Sequence, residues 1–389
     1  MKKQSVLDDS LIWFGAAVSI AEIITGTYFA SLGFKTALIA IIMGHVFGGV
    51  LLYLSAIIGG VSKKSAMETV KLSFGRKGFS IFAIINIIQL VCWTGIMIYD
   101  GAISASTIFN VGNWVWALVI GALIVFWIWL GLTNLGLVNK ISMSLLFILS
   151  LVLAYIIFRN KSGVSADIND SLSFGAAVEL SIAMPLSWLP LISDYSKDYE
   201  DYKKSSMGAV LLYSLVSIFM YVIGLSAAIF AKTTDIAEIM VKSGLGIAGL
   251  LIIVFSTVTT TFLDAYSAGV SANSLNKKID ARLCGILVTI LGTIGAMLFP
   301  MDDITSFLYL IGSVFAPMVA ILIADFYILK IDRSDHDFYI KNIIIWIIGF
   351  IIYRILLKTD IVIGSTFASV LIIIVLTVLV EKISNKLKI

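Results

Sequence analysis

Runs of about twenty apolar residues, the length of helix that crosses a bilayer core of roughly 30 Å, recur along nearly all of this 389-residue chain. Inside lipid no water meets exposed backbone N–H and C=O groups, so a spanning run must close its own hydrogen bonds as a helix or a barrel. Runs of this length and continuity specify helices. Twelve windows qualify, at 11–32, 35–60, 79–108, 114–133, 138–158, 174–194, 205–231, 244–273, 282–299, 304–329, 341–357 and 361–380. With 60% hydrophobic and 13% charged residues, the chain reads as an all-α polytopic membrane protein whose one demanded partner is the lipid bilayer. No long basic run points to nucleic acid. No obligate protein partner is evident. The run from Leu11 is too long, and too well followed by others, to be a cleaved leader.

Cys92 and Cys284 sit in apolar runs and read as small buried hydrophobes. His45 and His336 are the two histidines. They exclude a histidine-rich metal site and the H-E-x-x-H pattern of metalloproteases. No T-V-G-Y-G filter of a cation channel occurs. The chain is therefore expected to be no enzyme and no channel, and to carry no cofactor.

Orientation follows from Lys and Arg, which favour cytoplasmic loops. With the N-terminus inside, twenty of them fall on the inner side and seven on the outer. Both termini are then cytoplasmic, which an even number of spans requires. The longest connection, 63–78, is basic and suits an interfacial helix. The expected organisation is a cytoplasmic N-terminus (1–10), a first repeat of five spans (11–158), a second repeat of five (174–329), two further helices (341–380) and a cytoplasmic tail (381–389). The expected location is the cell membrane.

The sixth window holds the least ordinary stretch, Glu179–Ser196, with two of the chain's four prolines. A proline inside a helix removes a donor and clashes with the preceding turn, costing about 3 kcal/mol. In a membrane such a break is tolerated where the freed groups face protein or a watery cavity, as in transporters built from inverted repeats. The first helix of each repeat is then the irregular one. The first span has Glu22 near its middle, flanked by Gly15 and Gly26, but no proline. Without a proline, its break is signalled less clearly than that of the sixth span.

Carboxylates deep in a bilayer cost several kcal/mol unless paired, solvated or protonated. Glu22 is the deepest and reads as an acceptor for substrate N–H groups or a carrier of a coupling proton. Gln89, Trp93, Met97 and Asp100 share one helical stripe, where Trp93 could shelve a flat ring. Ser256, Thr260 and Asp264 share another. Hydroxyl and carbonyl oxygens suit a hard cation, though such hydroxyls also bond back to their own helix. Glu179, Asp194 and Asp325 lie near span ends, where solvation at the interface is the simplest expectation. Trp114, Trp116, Trp127 and Trp129 read as interfacial aromatics.

Three local patterns, in order and on the expected helices, resemble the nucleobase:cation symporter-1 family. They are Trp93-Thr94-Gly95-Ile96-Met97 with Gly101-Ala102 (the family's W-x-G-x-Q…G-A), Asp194-Tyr195-Ser196-Lys197 (D-[FY]-[ST]-R), and Thr259-Thr260 with Tyr266-Ser267-Ala268 (T-T-N-x-x-x-x-Y-S-A of the cytosine-permease branch). The resemblance covers nearly the whole chain. It implies the five-plus-five inverted-repeat fold shared with the sodium-coupled leucine transporter, plus two C-terminal helices. Short length, the Glu22 helix and PLSWLPLISDYS look most like the branch assigned to hydroxymethylpyrimidine, the pyrimidine half of thiamine.

Carried over residue by residue, the resemblance implies that a planar substrate stacks on Trp93. Met97 stands where hydantoin-type members have a glutamine, which argues against hydantoins. The polar residue at the first-span break aligns with Glu22. The sixth-span contact falls at Met184 or Trp188. The implied Na⁺ site comprises the hydroxyls of Thr259 and Thr260 with carbonyls near Ser256, Val18 and Ala21; the coupling ion is Na⁺ or H⁺. Asp264 and Ala265 replace the late asparagine of the eighth span. Carboxylates at Glu22 and Asp264 suit an amino-bearing pyrimidine, so the expected activity is import of hydroxymethylpyrimidine by alternating access. A cytosine, purine or allantoin symporter is the alternative.

Overall fold

The computed structural model describes residues 5–130, 136–159, 172–231, 237–238, 241 and 246–386. Lys2, Lys3, Lys161, Lys232, Lys242 and Lys388 of the charge count lie outside the described residues, as does the side chain of Lys140.

The described elements are helical: α1 (Val6–Ala17), α2 (Ile20–Thr27), α3 (Gly33–Ser62), α4 (Ala66–Phe74), α5 (Phe79–Ile108), α6 (Asn113–Leu130), α7 (Gly136–Arg159), α8 (Phe174–Ser187), α9 (Ile192–Ser196), α10 (Tyr202–Ser226), α11 (Gly246–Leu275), α12 (Ala281–Leu298), α13 (Ile304–Ile323), α14 (Ile340–Leu356) and α15 (Ser365–Lys386). A 3₁₀ turn, Tyr28–Leu32, follows α2, and π turns extend α10 (Ala227–Ala231) and α13 (Ala324–Leu329). Among the described residues nine helices are long and apolar enough to cross a bilayer, ten if the bent pair Val6–Ala17 and Ile20–Leu32 is one span. The chain is therefore a multi-pass membrane protein. α7 and α14 fall in the fifth and eleventh expected windows without meeting that standard among the described residues.

Both spans expected to be irregular are interrupted, the first more sharply. The proline-free first span bends by 49° at Val18–Ser19. There the helix restarts on Ser19, whose hydroxyl accepts from the Glu22 N–H at 3.2 Å, supplying one donor-satisfying cap of the kind a new N-terminus needs. The proline-rich segment runs as one 23-residue stretch, Phe174–Ser196, loosened to short turns over Trp188–Leu191. Pro185 removes one donor from the ladder inside α8, two residues before its end, and Pro190 disfavours helical geometry at Leu189 before it. Asn86 of α5 compensates: its amide donates to the Pro190 carbonyl at 3.2 Å and to Ser271 at 2.9 Å. Its own oxygen accepts from Gln89 at 2.8 Å.

Close helix contact in lipid relies on small residues. On α3, Gly44 and Gly48 admit Ser181 and Pro185 of α8; a Cβ at either would collide with them. Gly26 of α2 and Gly224 of α10 let the two backbones touch, each occupying space beside the other helix's main chain. The major pairings are α1 with α10, α3 with α8, and α5 with α11.

The connection after α3 does form a helix, α4, capped by Ser65 and Glu68 in reciprocal hydrogen bonds. The carboxylates expected at solvated span ends are instead buried and bonded. Asp194 accepts from the Ala66 N–H at the start of α4 at 2.8 Å. Glu179 accepts from the Thr366 N–H at 2.7 Å and hydroxyl at 2.6 Å, and from Tyr353 at 2.5 Å. Asp325 accepts from Asn342 at 2.8 Å and faces Arg333, which pairs with Glu381 at 2.9 Å. Each carboxylate caps or ties a second element; Glu179 has both oxygens bonded, while Asp194 Oδ2 and Asp325 Oδ1 have no hydrogen-bond partner among the described residues.

Candidate functional site

Where the first span breaks, α2, α5, α8, α11 and the turn after α8 converge on a narrow cavity of about 20 Å³, room for little more than one water by the ~10–15 Å³ that a water needs. Its walls include Glu22, Trp93, Met97, Met184, Trp188 and Asp264. The structure thus brings together all six residues expected to meet substrate, from four segments far apart in sequence. It also leaves both Met184 and Trp188 on the wall, rather than one of them. Ala16, Ser19, Ala21, Ser187 and Thr260 complete the lining.

The aromatic groups are held from behind. Trp93 is buried, with Phe307 edge-on at 5.3 Å between ring centroids. Trp188 sits edge-on to Trp13 at 5.5 Å and to Tyr213 at 6.2 Å. Trp13 is anchored by its indole N–H, which donates to Tyr199 at 3.0 Å. Edge-to-face packing of this kind is favourable for aromatic pairs and fixes the plane of each indole.

The two carboxylates differ. Glu22 accepts from Tyr213 at 3.0 Å on Oε1 and from Ser217 at 2.7 Å on Oε2. Asp264 is buried, and no hydrogen bond to its side chain occurs among the described residues. Glu22 is thus already engaged by protein donors, while Asp264 faces the cavity with its acceptors open. Tyr213 and Ser217 of α10 escaped the sequence reading because a lone Tyr or Ser in an apolar helix carries no periodic signal.

Of the residues expected to hold a cation, Thr260 Oγ1 donates across the break to the Gly15 carbonyl at 3.2 Å. Thr259 donates to the Phe255 and Ser256 carbonyls at 2.9 and 3.1 Å, and Ser256 to Ile253 at 3.1 Å. Ala21 accepts from Thr25 at 2.7 Å and reaches the cavity wall; Val18 caps the end of α1 and does not line it. The oxygens joined across the break are therefore those of Thr260 and Gly15, and Gly15 was not among the carbonyls expected. No cluster of three His, Cys, Asp or Glu residues that could hold a metal ion exists among the described residues.

Over residues 2–346 the chain matches the family described as permeases for cytosine/purines, uracil, thiamine and allantoin. The cytosine permease of Escherichia coli (strain K12) is 20% identical over 342 residues, 86% of this chain and 80% of that protein. The inward-facing conformation of Mhp1 superposes with a TM-score of 0.80 at 15% identity, covering 99% of this chain and 92% of that one. Mhp1 in a closed conformation with bromovinylhydantoin bound, described as a nucleobase-cation-symport-1 family transporter, gives 0.78 at 16% identity over 97% and 92%. A Na⁺-coupled sialic acid symporter, outward-open with substrate, gives 0.71 at 14% identity over 97% and 88%. At these identities the structural likeness is one of fold.

Proposed function

The chain belongs to the family of permeases for cytosine/purines, uracil, thiamine and allantoin, and from that premise we propose that it is a cation-coupled importer of an aminopyrimidine, hydroxymethylpyrimidine first. The observation that carries this is the gathering of Trp93, Trp188, Glu22 and Asp264 around one cavity at the helix break. The ring stacks on Trp93, with Trp188 on the wall from the broken sixth span. Asp264, free of protein donors, accepts from the exocyclic amino group. Glu22, Met97 and Met184 complete the pocket. Met97 offers a thioether where an amide would read a hydantoin carbonyl, so the pocket favours an amino group over a second C=O. The cavity must widen to admit a ring, as a site that opens to one side at a time does.

The architecture we propose is twelve crossings with both termini in the cytoplasm, the first two blocks of five being inverted copies. The packing supports it. Exchanging the two blocks maps span one onto six and span seven onto two, so contacts of α1 with α10 and of α3 with α8 become equivalent. The contact of α5 with α11 maps onto itself. For the coupling cation two places exist: Na⁺ at Ser256, Thr259 and Thr260 with the first-span carbonyls of Gly15, Val18 and Ala21, or H⁺ at Glu22.

Equilibrium binding of labelled hydroxymethylpyrimidine to the purified protein, with unlabelled cytosine, adenine and allantoin as competitors, tests the substrate. Saturable binding displaced least by allantoin is expected. Binding of cytosine without hydroxymethylpyrimidine would favour the second reading, which the likeness to cytosine permease supports.

A further inference from the structure

His45, on α3, lies outside the cavity and plays no part in the reading above, yet it is buried and bonded at both ring nitrogens. Its Nε2 is 2.6 Å from Ser217 Oγ, the same hydroxyl that is 2.7 Å from Glu22 Oε2. Its Nδ1 is 2.9 Å from the Ile41 carbonyl and 2.8 Å from Ser181 Oγ, and Ser181 donates to that carbonyl at 2.8 Å. A chain of short contacts thus runs from the cavity wall, through α10, to the interface of α3 with α8.

Counting hydrogens decides what this chain holds. A carbonyl has no hydrogen to give, and with the Ser181 hydrogen directed to that carbonyl, the tautomer that fills the Nδ1 contacts carries its hydrogen on Nδ1. Ser217 has a single hydrogen and two short contacts, one to Glu22 and one to Nε2. If Glu22 is ionised and His45 neutral, the hydroxyl fills one contact and leaves the other as two facing lone pairs. One further proton fills both. It can sit on Glu22 Oε2, which then donates to Ser217 while Ser217 donates to Nε2. Or it can sit on Nε2, which donates to Ser217 while Ser217 donates to Glu22. The two arrangements interconvert by moving the Glu22 proton to Ser217 and the Ser217 proton to His45; the total charge is unchanged. The other titratable groups against this chain are Tyr213, which donates to Glu22, and Tyr221, whose ring is edge-on to His45 at 5.0 Å. Glu179, on α8 beside Ser181, is occupied by Tyr353 and Thr366. Among the described residues no Lys or Arg forms an ion pair with Glu22.

We propose that Glu22, Ser217 and His45 form a proton-carrying relay, and that the proton it holds is the coupling ion for import. The relay ties a carboxylate on the substrate wall to the packing of α3 on α8, so loss of its proton unmakes one contact that joins α10 to α2 or to α3. The proposal rests on the transport reading, but part of it can be measured without substrate. With two histidines in the chain, ¹⁵N-histidine spectra of His336→Gln protein report His45 alone. Nδ1 is expected to be protonated, and the Nε2 signal to shift when Glu22→Gln or Ser217→Ala is added. A neutral His45 protonated on Nε2 alone, or an Nε2 signal indifferent to both changes, overturns the relay whatever the protein transports. In Na⁺-free proteoliposomes an inward proton gradient should drive accumulation of labelled hydroxymethylpyrimidine or cytosine. His45→Gln should bind substrate with unchanged affinity yet accumulate none above the level reached without a gradient. Accumulation by His45→Gln equal to the parent's, or uptake that needs Na⁺ and ignores the proton gradient, overturns proton coupling. If neither pyrimidine binds the parent protein, the transport reading fails, and the histidine spectra still decide the relay.

Discussion

Asp264 and Glu22 show how much one carboxylate's surroundings alter its role. Both were legible in the sequence as acids too deep in apolar helices to be incidental. What could not be read was that Tyr213 and Ser217 satisfy Glu22 while Asp264 has no such donors, because those partners come from a helix nearly two hundred residues away from Glu22. The consequence is testable. Asp264→Asn keeps the shape but turns half of an acceptor into a donor, so affinity for an aminopyrimidine should fall by roughly tenfold, in line with about 1.5 kcal/mol for a hydrogen bond to a charged group. Trp93→Ala should cost more broadly, since stacking on one aromatic side chain is worth about 1–3 kcal/mol whatever the ring's edge carries. Titration calorimetry of both variants with hydroxymethylpyrimidine and cytosine separates the two effects. Met97→Gln is expected to admit hydantoins that the parent protein rejects, in the same competition format.

At the scale of elements, the apolar windows located the helices well, and both expected breaks occur, but which of them bends more was not legible. Proline is the most visible breaker in a sequence, yet the sharper bend occurs without one, at Val18–Ser19. Ser19 supplies a cap there, and Gly26 against Gly224 lets α2 lean onto α10. The proline segment stays nearly in line because Asn86 takes up the Pro190 carbonyl. Asn86→Ala leaves that buried carbonyl without its donor and should destabilise by about 1–3 kcal/mol, measured as a lower unfolding midpoint in detergent, with Asn86→Gln recovering part of it. A second element, α4, is held to the turn after α11 by Glu68, whose carboxylate pairs with Lys277 at 2.6 Å. Burial pushes Glu68 up, but Lys277 and Ser65 outweigh it and hold the group at about 2. Its folded value lies below the ordinary 4.5, so the contact contributes fully above about 4.5 and is lost as pH falls toward 2. Amide protection of α4, corrected for intrinsic exchange, should therefore drop across that window, and Glu68→Gln should flatten the dependence. Protection in the parent that stays constant from pH 5 to 2.5, roughly the two sides of that window, would remove Glu68 from the account of α4.

For the whole molecule, the positions and order of the apolar runs carried most of the fold, because lipid leaves a chain few alternatives to helices. The site was legible as a list of residues but not as a wall. Helical spacing grouped Trp93 with Met97, and Ser256 with Thr260 and Asp264, while only the pairing of α1 with α10 and α5 with α11 sets those stripes around one cavity. The central claim is that this cavity takes a planar aminopyrimidine. The most direct measurement is equilibrium binding of labelled hydroxymethylpyrimidine to the purified protein and to Trp93→Ala, with cytosine and a hydantoin as competitors. The account predicts saturable binding, competition by cytosine exceeding that by hydantoin, and loss of most affinity in Trp93→Ala. Binding of hydantoin in preference to either pyrimidine, or pyrimidine binding untouched by Trp93→Ala, would contradict it.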